Sequence, residues 1–152
     1  MKKVLLFSGF FALLFLGSLQ AQTQYKVVTV VESIIPAGTG RSRIIESNEA
    51  VPIAQYTTQR TDGRTSAQGD IDRSDLKISN FYETKLLNFF SLGGINFQNI
   101  ASNDALISAK LDQLTAEGWE LAFVTSGVES QGGDTDPQGI FITRFVFKKV
   151  SR

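Results

Sequence analysis

The sequence predicts an α+β fold, an antiparallel sheet with one main helix packed on one face. Three observations predict it. A β-branched run opens the polar part of the chain at Tyr25-Lys26-Val27-Val28-Thr29-Val30-Val31. A stretch with helical apolar spacing ends at Gly118. Two alternating segments, residues 119–125 and 140–149, follow it with a polar loop between them.

Before these elements stand Lys2 and Lys3, then uncharged residues 4–19 rich in Leu and Phe, then Leu19-Gln20-Ala21. A positive start, a short apolar core and a small residue before a polar stretch are the parts of a secretory signal. Residues 1–21 therefore read as a cleavable signal peptide. The apolar run is shorter than the roughly 20 residues of a spanning helix. The expected product is residues 22–152, a single α+β domain in the periplasm or outside the cell, with no membrane span after cleavage. The chain has no cysteine, so neither a lipid-attachment thiol nor a disulfide is available. Without Lys2 and Lys3, 13 basic residues face 15 acidic ones, a net charge near −2. No basic stripe forms, and nucleic acid is not an expected partner.

Residues 25–35 read as a strand with at least one buried face. Pro36 and the glycines at 38 and 40 end it. Residues 41–47 suit a second short strand around Ile44 and Ile45. Residues 48–75 are mostly polar, with turn signals at Asp62-Gly63 and Gln68-Gly69-Asp70. A hairpin using residues 53–59 is expected there. Residues 76–90 are aromatic and apolar and read first as a strand, with a helix across residues 82–90 as the competing assignment. Gly93-Gly94 breaks this element, and residues 95–100 alternate as a short extended piece.

The clearest helix follows. Ser102 or Asn103 is the expected cap, with Asp104 in the first turn. Leu106, Ile107, Leu111 and Leu114 form its apolar stripe, and Gly118 terminates it. In the strand that follows, alternation places Trp119, Leu121 and Phe123 on one face. In the last strand Phe141, Thr143, Phe145 and Phe147 share a face. Ile142, Arg144, Val146 and Lys148 share the other. The two strands are expected to pair as an antiparallel hairpin.

Two parts of the chain resemble a known family. Tyr25-Lys26-Val27-Val28, then a helix, then Ala116-Glu117-Gly118-Trp119-Glu120-Leu121, then a strand ending Phe147-Lys148-Lys149, is similar to the small DUF4177 family. The likeness covers residues 25–35 and 104–149, and residues 36–103 read as a long insertion. It implies a fold and no activity, since the family has no established function. The residues also explain the motif by themselves. Gly118 permits a left-handed turn, Trp119 can seal the helix–sheet junction, and Glu120 can meet solvent or a lysine of the next strand.

The chain has no histidine and no cysteine. Triad catalysis, His-ligated zinc and thiol redox chemistry are therefore excluded, and no cofactor, catalytic residue or metal site is expected. Asp70-Ile71-Asp72-Arg73-Ser74-Asp75 begins like a calcium loop but lacks its glycine and its distal glutamate, so it reads as a solvated turn. Four features remain as candidates. Asp134 and Asp136 lie on a Gly-rich loop that could take a cation or sugar hydroxyl. Arg41 and Arg43, in Gly38-Thr39-Gly40-Arg41-Ser42-Arg43, could hold a phosphate or carboxylate. Phe81, Tyr82, Phe89 and Phe90 could form an interface or apolar groove. Asp104 and Glu120 join Asp134 and Asp136 as carboxylates for a hydrolytic pair. The reading that follows is a non-catalytic binding or interaction module, with an envelope protein as its expected kind of partner. The alternatives are a carrier of a small apolar ligand and a carboxylate-dependent glycan hydrolase.

Overall fold

The computed structural model describes residues 22–35, 41–128 and 140–151. Residues 1–21, read above as a signal peptide, and the loop bearing Asp134 and Asp136 lie outside the described residues.

Strands β1 (Gln22–Ser33) and β7 (Ile140–Ser151) pair antiparallel over their full lengths, from Gln22 opposite Ser151 to Ser33 opposite Ile140. On the far side of β1 lies β2 (Arg43–Ser47), and β3 (Phe81–Lys85) pairs with β2. On the far side of β7 lies β6 (Glu120–Val128), the expected hairpin. The sheet is entirely antiparallel with order β3-β2-β1-β7-β6. A two-residue ladder, β4 (Phe90–Ser91) with β5 (Gly94–Ile95), turns through Gly94 at φ 121° and leads into helix α1 (Phe97–Ala116). The helix carries the chain from the β3 edge across one face of the sheet to the β6 edge. The α+β expectation therefore holds. Strands β2 and β3 and the start of the helix all fall within the segment read as an insertion, which is thus built into the sheet.

One face of the sheet supplies the core. Val28, Val30, Ile44 and Phe147 are buried there against Leu114 of α1 and Leu86, with Ile107, Leu111, Trp119 and Phe145 packed around them. Burying these side chains is the main favourable term in folding, worth about 1.5–3 kcal/mol for each large one.

The helix begins nearly two turns earlier than expected. Asn96, not Ser102 or Asn103, caps it, its Oδ1 accepting from the Asn99 amide at 3.1 Å. Residues 97–100, expected as extended, are its first turn. Asn and Ser have weak helix propensity because their side chains compete for backbone partners. Here those side chains serve tertiary contacts instead. Asn103 is fully buried. Its Nδ2 donates to the Leu87 carbonyl (2.9 Å) and to Glu32 Oε1 (3.1 Å), while its Oδ1 accepts from the Leu87 amide (2.8 Å). Asn99 Nδ2 likewise donates to the Asn88 carbonyl at 2.7 Å. The helix is thus sutured to the loop before it.

At the other end, the Trp119 amide donates to the Leu114 carbonyl (3.0 Å) and the Gly118 amide to the Thr115 carbonyl (2.9 Å). This paired closure needs a left-handed residue, and Gly118 has φ 86°. Lys149 Nζ adds a cation at the helix C-terminus, donating to the Glu117 carbonyl at 2.7 Å. Glu120 meets Lys148 at 3.4 Å, as its position suggested.

Three further expectations are corrected. Residues 48–80 contain no strand, so the hairpin at residues 53–59 is absent. Ile53–Tyr56 and Gln68–Asp70 are single 3₁₀ turns, and the aspartates close local turns of their own. Asp62 accepts from the amides of Arg64 and Thr65 and from the Thr65 hydroxyl. The Thr65 hydroxyl, then these backbone bonds, hold its exposed carboxyl down to about 2. Local bonds of this kind satisfy the backbone without a partner strand. Only residues 81–85 of the aromatic stretch are extended as a strand of the main sheet; Leu86 turns into the core instead. Finally, a bulge between Leu121 and Phe123 places them opposite Phe147 and Val146, and so on opposite faces.

Asn103→Ala is expected to cost about 2–4 kcal/mol, because it removes the bonds that a fully buried side chain makes to the Leu87 amide and carbonyl and to Glu32. Urea unfolding of both proteins would measure this, with Asn103→Leu equally impaired because refilling the volume does not restore the bonds.

Candidate functional site

The face of the sheet opposite α1 carries no layer among the described residues. One cross-strand row on it reads Glu83, Ile45, Thr29, Arg144, Thr125, and the next reads Lys85, Arg43, Val31, Ile142, Gly127. Phe81, Val27, Val146 and Phe123 extend the same face toward its other end. Apolar side chains therefore alternate with charged ones on a surface open to solvent.

A depression here has a volume of about 490 Å³. Val31, Ile35, Ile45, Ile140 and Phe81 supply its apolar lining, and Arg41, Arg43 and Glu83 supply its polar one. Phe81 is 43% exposed. Arg43 Nη1 bonds Glu83 Oε1 at 2.5 Å. Arg41 makes no ion pair among the described residues. A second depression of about 410 Å³ adjoins it through Ile140 and is lined by Ile142, Arg144 and Gly127. The strand geometry explains the pairing of the arginines. Positions 41 and 43 point to the open side, while Ser42 between them is buried and accepts from the Ser33 amide at 3.1 Å.

The structure thus brings Arg41 and Arg43 together with Phe81, joining two features that the sequence kept apart. It disperses the other aromatics. Tyr82 sits on the helix side of β3, where its hydroxyl accepts from Asn48 Nδ2 at 3.2 Å. Phe89 packs on Phe141 with ring centroids 6.5 Å apart, and Phe90 lies in the small β4–β5 ladder beside Ile34. The carboxylates are dispersed too. Asp104 stands near Glu32, opposite Phe141, whereas Glu120 stands opposite Lys148. Seven residues of β7 separate those positions, about 23 Å at strand spacing, well beyond the reach of a glycosidase pair. In the acidic turn, Asp72 accepts from the Ser74 amide at 2.8 Å, and no metal-binding group of three occurs among the described residues.

On the helix side the structure builds a charged cluster that sequence reasoning missed. Glu46 is buried and ion-paired with both Lys26 and Lys110. Lys26 and Lys149 both stand over the Trp119 ring, 5.1 and 5.7 Å from its centroid. Burial pushes the Glu46 carboxyl up, but hydrogen bonds from Lys110 and Lys26 outweigh it and hold the group below the ordinary 4.5. Burial dominates at Glu32 and raises it, despite the Asn103 hydrogen bond, with Asp104 adding repulsion. The lone signal for the cluster was a glutamate at an inward position of β2, Glu46 next to Ile45 and in phase with Ile44. The signal for the open face was stronger: apolar residues at both parities of β1 and β7.

Comparison of the chain with protein-family models, with curated proteins and with solved structures finds no match. The likeness to DUF4177 rests on its motifs.

Glu46→Gln is expected to lower stability by about 2–4 kcal/mol at neutral pH, since it leaves two half-buried lysines facing each other. Glu46 binds its proton less readily in the folded protein than in the unfolded chain. Its contribution is therefore present above pH 4.5 and vanishes as pH falls through the lowered folded value. Glu32 acts in the opposite sense, costing stability as pH rises from 4.5 through its raised value. Urea midpoints of the two proteins measured across this range should converge at low pH.

Proposed function

We propose that this protein is an exported, non-catalytic binding module whose ligand surface is the open face of the sheet, centred on the depression between Arg41 and Phe81. One observation carries this reading. The central strands are apolar on both faces, a pattern that belongs to sheets covered on two sides, while α1 covers one. An open depression with an apolar lining on such a face is the kind of surface that meets a ligand or partner. The chemistry of the depression describes the ligand. Its apolar lining takes a hydrocarbon or apolar side chain, and the Arg41 guanidinium takes a carboxylate. The ligand is thus an apolar body with a carboxylate. It is supplied by a segment of an envelope protein on the first reading, or by a small amphiphile if the protein is a carrier. The absence of His and Cys from the sequence supports binding over catalysis.

Laurate, a peptide ending in Leu-Phe with a free carboxylate, and its amidated form would be titrated against the protein in amide NMR spectra. Shifts at Arg41, Ile45 and Phe81 are expected with the two carboxylates and weaken about tenfold in Arg41→Ala, the loss of one charge-assisted contact. Tighter binding of laurate than of the free peptide would select the carrier. Absence of shifts on this face with all three probes would overturn the reading.

Export has its own test. The protein recovered from the periplasm or medium should begin at Gln22 by mass spectrometry; recovery with Met1 in the cytoplasm would refute it.

A further inference from the structure

The two edges of the sheet differ. At one edge β3 is five residues long, carries Glu83 and Lys85, and has its end tied by the Asn48 amide donating to the Asn80 carbonyl. Short length and charge are the usual protection against strand addition. At the other edge β6 spans nine residues, and residues 121–128 contain no charge and no proline. Every residue of β6 is exposed, with Phe123 at 62% and Val128 at 63%. Among the described residues, no backbone hydrogen bond outside the β7 ladder reaches residues 121–128. The bulge at the Trp119 end leaves residues 123–128 in regular register, from Phe123 opposite Val146 to Val128 opposite Phe141. Among the described residues, this edge presents a run of unpaired backbone donors and acceptors flanked by apolar side chains on both faces.

We propose that β6 pairs antiparallel with β6 of a second copy of this chain, joining two sheets into one. A second copy fits for a reason of charge and symmetry. A two-fold axis normal to the sheet sets each strand against its own sequence in reverse, so the residue on the axis meets its own copy and a charge there would face its like. Residues 121–128 carry none. The same axis keeps equivalent faces together, so paired positions must have the same parity. Centring on Thr125 satisfies this. It sets Val124 against Ser126 and lays the exposed Phe123 ring across Gly127, where no side chain stands in its way and nothing lies within 4 Å of a Cβ. The apolar open faces then run on from one copy to the next. The pairing stands independently of any ligand at Arg41.

Sedimentation equilibrium of the purified protein tests this, with mass followed up to about 100 μM. A concentration-dependent rise to twice the chain mass is expected. Thr125→Lys places two cations opposite each other at the axis and should weaken the dimer at least about tenfold. Near-UV circular dichroism would confirm that the variant remains folded, as an exposed edge position allows. An equimolar mixture of Thr125→Lys with Thr125→Glu should restore the dimer, which a misfolded variant could not do. A monomer at every concentration would overturn the proposal. So would a dimer indifferent to both substitutions, since it would use another surface.

Discussion

The pairing of β1 with β7 is the constraint from which the rest of the structure follows. It joins the two ends of the folded chain over twelve residues each, without a crosslink and with no cysteine available to make one. Every other strand is added outward from this pair, β2 and β3 on one side and β6 on the other. Such a pairing has the largest sequence separation in the molecule, so its loop entropy is met only when the core closes on it. Val28 and Phe147, on its inner face, are accordingly among the most buried side chains.

Closure depends on α1, which must cross from one edge of the sheet to the other. Its two ends are held by different devices. The Asn103 side chain bonds the backbone at Leu87, and the Gly118 turn reverses the chain so that Trp119 packs beside Leu114. Glu46 then bridges the layers, bonding Lys26 of β1 and Lys110 of α1. Two cations and one anion at a layer boundary leave a positive excess, and part of it rests on the Trp119 face.

The consequence for function lies in what this architecture leaves uncovered. One helix can cover one face of a five-stranded sheet, and the other face retains an apolar lining edged by arginines. Edge and face are separate resources. The face offers side-chain chemistry suited to an apolar carboxylate, whereas the β6 edge offers backbone hydrogen bonds suited to another strand. A protein with no histidine or cysteine has few routes to catalysis, and these two surfaces are where its chemistry is available.

Much of the architecture was legible in the sequence, because it rests on local pattern. The β-branched run of β1, the alternation of β7, the glycine stop of α1 and the Trp119 seal each follow from one short stretch of residues. What failed locally was the helix start and the polar excursion. Asn103 looks like a cap until tertiary partners claim its side chain, and aspartates closing their own turns need no hairpin. The Leu121–Phe123 bulge was equally invisible, since it depends on the register against β7. The candidate site was legible only in pieces. Arg41 and Phe81 are forty residues apart in the chain, and only strand order and register put them in one depression. The sequence by itself determined the strands β1, β2, β6 and β7 and the body of the main helix, because periodicity is a local property. Tertiary structure alone decided which face stayed open and what gathered there, because that depends on which distant strands become neighbours.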